Sequence, residues 1–454
     1  MVNFFSGSVD LSQEIFQLPG PHRSSLVGNL LDFGRDPLGF LSHCARTYGS
    51  IVPLRFGLTP VCLLNEPELV EHVLKNPQVF SKSRGLRSLH RLLGEGLLTS
   101  EGDIWLHQRK LMQPVFHQRR IHAYSHTMVA FAERMLAIWQ EGETRDLHRD
   151  MMRLTLDLVM KTIFSWEVSD PEAQDVAHAL AVAIHWFERR RNQNFVVWEW
   201  FLQPEDRRYR EAIERMDERI YTILAERHRR PDDTGDLLSL LMEARDEADG
   251  SQLSDLQLRD EVATLMLAGH ETTANTLCWA WLLLSQHLDA EERLIHELSE
   301  VLDDRPPTLA DLPRLHYTDG VIKEALRLYP PVTILSRETS QDTEIGGYAV
   351  PKGCVLLLSQ WTMHRDPRYF VDPELFRPER WGADLERQLP RGAYFPFGDG
   401  PRICIGKSFA LMEALLILAT IARQVHFTLV APVTPEPSLT LRPAQGMKVR
   451  VNRR

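Results

Sequence analysis

The ten residues from 397 to 406 read Phe-Gly-Asp-Gly-Pro-Arg-Ile-Cys-Ile-Gly, and they decide how the rest of the chain is interpreted. A glycine-rich loop ends at Cys404, and the apolar sequence after it predicts a helix from about Gly406. Because the amides at a helix N-terminus favour an anion, this position favours a thiolate. The glycines at 398, 400 and 406 let the backbone approach a flat cofactor closely. An isolated cysteine in such a place is usually a small buried residue, so the whole string carries the interpretation.

The bulk properties of the chain are those of a folded globular protein. Its 454 residues are 43% hydrophobic and 25% charged, which is ordinary for a packed domain. The net charge of -10 argues against a general affinity for nucleic acid, whose binders neutralise phosphates with basic surfaces. The five cysteines are odd in number and form no CxxC pair, so they fit neither a disulfide framework nor a zinc site; they are Cys44, Cys62, Cys278, Cys354 and Cys404.

No targeting or membrane segment is apparent. The first twenty residues mix Asp10, Gln13 and Glu14 with apolar residues, unlike the basic flank and apolar run of a signal peptide. A membrane span needs about 20 consecutive apolar residues, and we find none. We therefore expect no membrane anchor, a cytoplasmic location and a monomer. Without repeats or low-complexity linkers, residues 1–454 are expected to form a single domain.

The periodicity predicts a mainly α class with minor β. Residues 50–56 and 60–64 read as an early pair of strands, and helical periodicity then dominates to residue 328, with polar loops expected at 203–206 and 230–233. The clearest helix begins near Ser254, where Ser254 and Gln257 resemble a capping box, and continues to about Gln286. At 1.5 Å per residue this helix is about 50 Å long. A hairpin at 346–353, a last helix from Gly406 and a strand at 448–451 complete the pattern.

The ten-residue string matches the signature FxxGxRxCxG at Phe397, Gly400, Arg402, Cys404 and Gly406, so the chain resembles the cytochrome P450 family, in particular its bacterial soluble members. The resemblance implies the P450 fold, with a long central helix and small antiparallel sheets. It implies haem b, iron protoporphyrin IX, with Cys404 as the iron ligand. Phe397, Gly398 and Gly406 would lie against the haem, and Arg402 would reach a propionate. A thiolate ligand favours O–O cleavage.

A second match lies in the middle of the long helix, where residues 268–273 read Ala-Gly-His-Glu-Thr-Thr. An interior glycine costs about 1 kcal/mol in a helix, which indicates another need at this point, such as a distorted turn that opens space for oxygen. By resemblance, Ala268 contacts the haem, Thr272 holds water near the bound oxygen and Glu271 relays protons. The alternative is a packing irregularity with Glu271 in solvent. His270 is interpreted as a satisfied polar residue and not as a ligand.

Three further residues are expected to have a structural role. Glu324 and Arg327 lie three apart in a helical segment, and Arg380 lies in residues 376–381, Phe-Arg-Pro-Glu-Arg-Trp. Alone, the first two are typical of a solvated ion pair worth about 0.3–0.5 kcal/mol. The family resemblance instead implies a buried triad with Arg380.

Additional propionate contacts are implied by the resemblance. Trp105 and Arg109 form a WxxxR motif whose indole and guanidinium N–H groups are suitable donors. Arg337 matches a further propionate-binding arginine of the family. Taken without the family, the motif is a half-buried tryptophan beside a surface arginine, and Arg337 is an ordinary strand residue.

The substrate pocket is nominated by resemblance alone. Its candidate residues are all apolar, which favours a hydrophobic substrate oriented by shape; they are Leu98, Leu265, Ala268, Val332, Ile334 and Leu439. Residues 93–100 and 268–273 resemble bacterial fatty-acid hydroxylases most, while terpenoids, steroids and other lipids remain open.

Electrons are expected from a separate protein, because we find no flavin or nicotinamide fingerprint. The expected donor is a ferredoxin or flavodoxin with its reductase. Basic residues either steer that donor or are simply solvated; they are Arg109, Lys110, Arg387, Arg391 and Lys407. The sequence thus predicts a monooxygenase that hydroxylates or epoxidises a hydrophobic molecule. The alternatives are a peroxide-driven peroxygenase or hydroperoxide isomerase, which commonly departs from the acid–alcohol pair, and a non-catalytic haem sensor.

Overall fold

The computed structural model describes residues 14–24, 26–117, 121–166, 178–179, 182, 186, 204–229, 236–246, 249–383 and 385–454. The helices within these ranges are, in chain order, α1 Leu30–Arg35, α2 Pro37–Tyr48, α3 Pro67–Lys75, α4 Arg84–Arg87, α5 His90–Leu93, α6 Gly102–Met112, α7 Ser125–Ile138, α8 Leu147–Phe164, α9 Pro204–Arg229, α10 Leu237–Glu243, α11 Asp255–Gln286, α12 Leu288–Leu302, α13 His316–Leu328, α14 Gln360–Met363, α15 Leu385–Gln388 and α16 Lys407–Ala422.

The strands are short and belong to four small sheets within the described ranges. They are β1 Ile51–Phe56, β2 Thr59–Leu64, β3 Phe80–Lys82, β4 Thr144–Asp146, β5 Ile334–Thr339, β6 Thr343–Ile345, β7 Tyr348–Val350, β8 Val355–Ser359, β9 Val425–Leu429, β10 Pro435–Pro437, β11 Leu441–Pro443 and β12 Lys448–Arg453. Helices therefore dominate, and the predicted mainly α class with minor β is confirmed.

The chain divides into two compact units. The first unit comprises residues 1–87, 326–375 and 383–404, and the second comprises residues 88–325, 376–382 and 405–454. The expected single domain stays a prediction. Of the residues that the structure describes, no helix is both long and apolar enough to cross a bilayer.

The first unit is built on a five-stranded sheet in the order β1-β2-β8-β5-β3. Alternate residues of β2 enter two different hydrophobic clusters, with Cys62 and Leu64 in one and Val61 and Leu63 in the other. This period of two is that of a strand buried on both faces. Helix α3 contributes buried side chains to the first cluster, and helix α2 contributes them to the second. Strands β6 and β7 form a separate hairpin whose turn is Gly346 and Gly347.

Helix α11 is the centre of the second unit. It begins after the N-cap Ser254, whose capping box with Gln257 is formed as the sequence predicts, and it ends at Gln286 as expected. Helix α8 packs along it. A Cβ on Gly269 would come within 3.0 Å of the Val159 side chain on α8. Close helix packing is therefore one reason for the interior glycine, and the main chain stays helical through the turn where we expected a distortion.

Most of the predicted elements agree with the structure. The early strand pair, the last helix from Gly406 and the strand at 448–451 are all present. The hairpin predicted at 346–353 lies three residues earlier, at 343–350, so its predicted bounds are wrong. The loop predicted at 203–206 is wrong for its described part, because Pro204 begins α9. Proline suits the first turn of a helix, where its missing N–H has no partner to lose. The loop predicted at 230–233 lies outside the described residues.

Candidate functional site

The cysteine loop lies in the first unit and is closed by its own backbone. The Cys404 N–H donates to the Phe397 carbonyl at 2.9 Å. Gly398 and Gly400 have φ values of 71° and 69°, and a Cβ on Gly400 would lie 2.4 Å from the Leu74 carbonyl oxygen. Only glycine fits such a position. The side chain of Cys404 is exposed, whereas the four other cysteines are buried thiols as expected.

Two predicted propionate arginines lie beside strand β3. The Arg402 guanidinium donates to the Phe80 carbonyl at 3.2 Å, and Arg337 lies opposite Lys82 in the pairing of β5 with β3. Arg337 is only 7% exposed. These arginines are 65 residues apart in the sequence (402 − 337), and both belong to the first unit together with the cysteine loop.

Helix α11 carries an open stripe in the second unit. Most of its residues are buried, but Leu265, Gly269 and Thr272 are partly exposed and Ala268 is exposed. Their spacing of i, i+3, i+4 and i+7 places them on a single face of the helix. The sequence motif and the accessible face therefore coincide at Ala268, Gly269 and Thr272.

The predicted acid and alcohol have different environments. The Thr272 hydroxyl donates to the Ala268 carbonyl at 2.8 Å, a bond that threonine often makes within helices. The Glu271 carboxylate is buried and accepts the Thr440 hydroxyl at 2.6 Å. The alternative that Glu271 points into solvent is therefore excluded. His270 is buried and bonded to the Met266 carbonyl, as a satisfied polar residue should be.

Trp105 and Arg109 lie one turn apart on α6, with Trp105 buried and Arg109 half-buried. Gln108 lies between them in the sequence, accepts the Ser100 hydroxyl at 2.7 Å and donates to the Glu95 carbonyl at 2.6 Å. Helix α6 is thus attached to the loop of residues 94–100, which contains the substrate candidate Leu98.

Two buried carboxylates that the sequence analysis missed hold the same loop on α11. Asp260 accepts the Glu95 N–H at 2.8 Å, and Glu261 accepts the Leu97 N–H at 3.0 Å. Arg259 pairs with Asp260 at 3.0 Å. Three charged residues in succession at the head of an apolar helix are the sequence signal that could have revealed this anchor.

The Glu324 carboxylate is fully buried and surrounded by donors. It accepts Arg380 at 2.9 Å, the Trp381 indole at 2.9 Å and the Arg377 N–H at 3.0 Å. Arg327 donates to three carbonyls of the first unit, those of His364, Pro373 and Leu375. The pairing of Glu324 with Arg380 is thus present, and Trp381 is a partner that we did not predict.

The remaining candidates are surface or lining residues. No substrate candidate is buried: Ala268 is exposed, and the others are partly exposed, namely Leu98, Leu265, Val332, Ile334 and Leu439. Of the basic residues, Lys110 pairs with Asp246 at 2.5 Å and Arg391 lies 3.8 Å from Glu71.

Comparison with known proteins agrees with this geometry. The family model for cytochrome P450 matches residues 18–450. The chain belongs to the cytochrome P450 family. Cyclooctat-9-en-7-ol 5-monooxygenase of Streptomyces melanosporofaciens is 38% identical over 93% of this chain and 90% of its own length. Cyclooctatin synthase of the same organism is 37% identical over 92% of both chains. Pentalenene oxygenase of Streptomyces avermitilis is 35% identical over 93% of this chain and 92% of its own length.

This P450 is a monooxygenase, an oxidoreductase. Family membership implies haem with cysteine thiolate ligation. Two features of the chain fit such a group. The Cys404 thiol is exposed at the end of a glycine loop that packs closely against the backbone of Leu74. Helix α11 is mostly buried but has one accessible stripe. A single thiolate donor is the ligand that P450 iron takes from its protein.

Proposed function

We propose that this P450 uses oxygen and two electrons from a separate redox partner to hydroxylate or epoxidise a terpenoid. The observation that carries the proposal is the accessible stripe of α11. It presents the Thr272 hydroxyl on the same helical face as the apolar residues Leu265 and Ala268. The three relatives named above favour a terpenoid, because two of their names specify cyclooctat-9-en-7-ol and pentalenene. They narrow the substrate from the fatty acids, steroids and other lipids that the sequence left open.

Haem b would be held by residues of known position. Cys404 would ligate the iron, with Phe397, Gly398, Gly406 and Ala268 against the porphyrin. When bound, the haem supplies the iron chemistry that activates oxygen. Its propionates would be met by N–H donors of Trp105, Arg109, Arg337 and Arg402, and charge-assisted bonds of this kind are strong.

Thr272 and Glu271 would manage protons. Because the Thr272 hydrogen is donated to the Ala268 carbonyl, the hydroxyl oxygen presents lone pairs on the accessible stripe and accepts a hydrogen bond from water there. The buried Glu271, which directly precedes Thr272 in the sequence, would accept and donate the transferred proton. General acid help of this type contributes about 10²–10⁴-fold in rate.

The substrate would be oriented by shape. The candidate residues offer apolar surface without a charged partner, which suits a polycyclic hydrocarbon skeleton. The loop of residues 94–100 is fixed by Asp260 and Glu261, so Leu98 would be a rigid wall. A rigid apolar wall discriminates between carbon skeletons, and it does not select a carboxylate.

The electron donor would be a ferredoxin or flavodoxin with its reductase. Lys407, Arg387 and Arg109 would add positive charge for an acidic partner, which accelerates encounter. Lys110 would belong to the same basic set and pairs with Asp246 at 2.5 Å.

The test compares the binding of terpenoids with that of fatty acids, and compares oxygen with peroxide as the oxidant. Purified haem-loaded protein is titrated with terpenoid hydrocarbons and alcohols, and with fatty acids of the same carbon number, while the visible spectrum reports displacement of water from ferric iron. Turnover is then measured with ferredoxin, its reductase, NADPH and labelled oxygen. We expect terpenoids to bind more tightly and to gain one labelled oxygen atom. Selective binding of fatty acids, or product formed with peroxide but not with ferredoxin, its reductase and NADPH, would overturn the proposal.

A further inference from the structure

A chain of four polar side chains ends at the carboxylate of Glu271. Thr440, directly before β11, donates its hydroxyl hydrogen to Glu271 at 2.6 Å. Asn275, one turn after Glu271 on α11, donates to the Thr440 oxygen at 3.0 Å. His148 on α8 contacts the Asn275 carbonyl oxygen through Nε2 at 3.1 Å. Glu271, Thr440 and Asn275 are buried, and His148 is half-buried.

Chemistry fixes the direction of this chain. A hydroxyl has one hydrogen, and Thr440 gives it to a carboxylate, so Thr440 must accept from the Asn275 amide. The amide oxygen then faces His148, whose Nε2 must carry a hydrogen. Every donor therefore points towards Glu271. An amide cannot pass a proton onward without adopting a disfavoured tautomer, so the chain holds the acid in place and does not conduct protons to it.

The scaffold of the chain is rigid. Glu271, Asn275 and Trp279 are spaced by four residues, so they share one face of α11. The Trp279 indole donates to the Leu441 carbonyl at 3.0 Å. The same helical face thus holds the start of strand β11, which Thr440 directly precedes. Thr440 in turn follows the substrate candidate Leu439.

On this geometry, we propose that Thr440 and Asn275 are positioning residues that hold Glu271 as a hydrogen-bonded carboxylate and so set its proton affinity. The inference rests on the proposed role of Glu271 in the monooxygenase reaction. A donor to the charged form of an acid stabilises that form. Loss of the Thr440 hydroxyl should therefore make Glu271 hold its proton to higher pH.

Within the described residues, several titratable groups lie close to this hydrogen-bonded chain. Asp146 on β4 and Arg442 on β11 act on His148. On α16, Glu413 lies against Thr273, and on α11 itself His270 is bonded to the Met266 carbonyl. Each of these groups remains unchanged when Thr440 alone is altered.

The test reads the protonation of Glu271 without turnover. Infrared difference spectra of the haem-loaded protein are recorded as a function of pH, and the carboxylic band of Glu271 is assigned by its loss in Glu271→Gln. We expect Thr440→Val to shift that titration upward by about one pH unit or more, since a bond to a charged group is worth more than one to a neutral group. Thr440→Ser should titrate like the wild type.

Two variants control for packing and for proton conduction. Thr162→Val on α8 removes a buried hydroxyl that bonds to the Leu158 and Val159 carbonyls of its own helix, and it should leave the Glu271 titration unchanged. His148→Gln keeps an N–H donor but cannot titrate, and it should also leave the band unchanged. The inference is overturned if Thr440→Val titrates like the wild type, or if His148→Gln shifts the band as much. Failure of the proposed function would instead appear as absent terpenoid oxidation by the wild type, which this spectrum does not measure.

Discussion

At the scale of single residues, three side chains have environments that imply measurable behaviour. Thr272 is accessible and donates to its own helix, Glu413 is fully buried on α16, and Cys404 is an exposed thiol. The identities of Thr272 and Cys404 as candidates follow from local motifs. Glu413 was not predicted, because its partner Thr273 lies 140 residues earlier (413 − 273) and no spacing rule connects two packed helices.

Thr272→Ala should uncouple reductant consumption from product formation. Removing the hydroxyl removes the acceptor that we propose to hold water on the stripe, while the helix keeps its backbone bonds. The ratio of product formed to reductant consumed should fall by at least about tenfold. This lower limit is smaller than the roughly 10²–10⁴-fold contribution that general acid catalysis typically makes. Thr272→Ser should retain most coupling. Unchanged coupling in the alanine variant, measured as product against NADPH and peroxide, would show that Thr272 has no such role.

Glu413→Gln should change how stability depends on pH. Burial raises the pKa of the Glu413 carboxyl to about 8 from an ordinary value of 4.5. Between these values the folded protein keeps a proton that the unfolded chain has lost, so the free energy of unfolding falls as pH rises. The slope is at most about 1.4 kcal/mol per pH unit.

Denaturant unfolding at several pH values between 5 and 9 measures this slope. Glu413→Gln should flatten it across the window, because glutamine does not titrate. The matched control is Glu300→Gln on α12, whose side chain is 70% exposed and which should keep the wild-type slope. Equal slopes in the wild type and Glu413→Gln would refute the prediction.

At the scale of elements, local signals predicted more than long-range ones. The capping box at Ser254 and Gln257 predicted the start of α11, and the strand-like segments 50–56 and 60–64 predicted β1 and β2. The placement of Arg337 and Arg402 beside β3 depends on contacts between distant segments, which periodicity does not specify. The start of α9 at Pro204 was missed, because proline marks both loops and the first turn of helices.

Gly94→Ala should disturb the loop of residues 94–100. Gly94 has φ of 53°, and an added Cβ would lie 2.2 Å from the Asp260 carboxylate that anchors the loop. Gly102→Ala is the matched control. Gly102 has φ of 58°, and a Cβ added there would have no atom of the described residues within 4 Å, apart from its own chain neighbours and helix backbone. The control should cost about 1–2 kcal/mol from left-handed strain alone.

Gly94→Ala should cost clearly more than Gly102→Ala, and it should alter the ratio of terpenoid products because Leu98 moves. Denaturant unfolding and product analysis measure the two effects. Equal stability losses in the two variants, with equal product ratios, would mean that contact with Asp260 does not fix this loop.

Glu324→Ala should give protein that fails to retain haem. The variant leaves Arg380 and the Trp381 indole without the carboxylate that accepts both of them. Breaking a buried pair of this kind costs about 3–5 kcal/mol. Asp319→Ala on the same helix removes a partly exposed pair with Lys323 and should cost at most about 1 kcal/mol. Haem content per protein decides the matter, and normal content in Glu324→Ala would contradict the structural role.

At the scale of the whole molecule, the family and the chemistry follow from one short string together with the long helix. The fold class, the cysteine loop and the α11 motif could all be predicted, because each depends on residues close together in sequence. The partners of Glu271 and the anchors Asp260 and Glu261 could not be predicted, because they bond to segments 164 or more residues away. Substrate choice depends on side chains from many loops, which spacing does not specify, so the terpenoid proposal relies on the names of relatives.

The central claim is that Cys404 binds the haem iron as a thiolate. The most direct measurement is the visible spectrum of the reduced protein under carbon monoxide, recorded for the wild type and for Cys404→Ser after circular dichroism has verified that both are folded. The account predicts the red-shifted Soret band of thiolate ligation in the wild type and its loss in Cys404→Ser. A folded wild type without that band, or a serine variant that keeps it, would contradict the account.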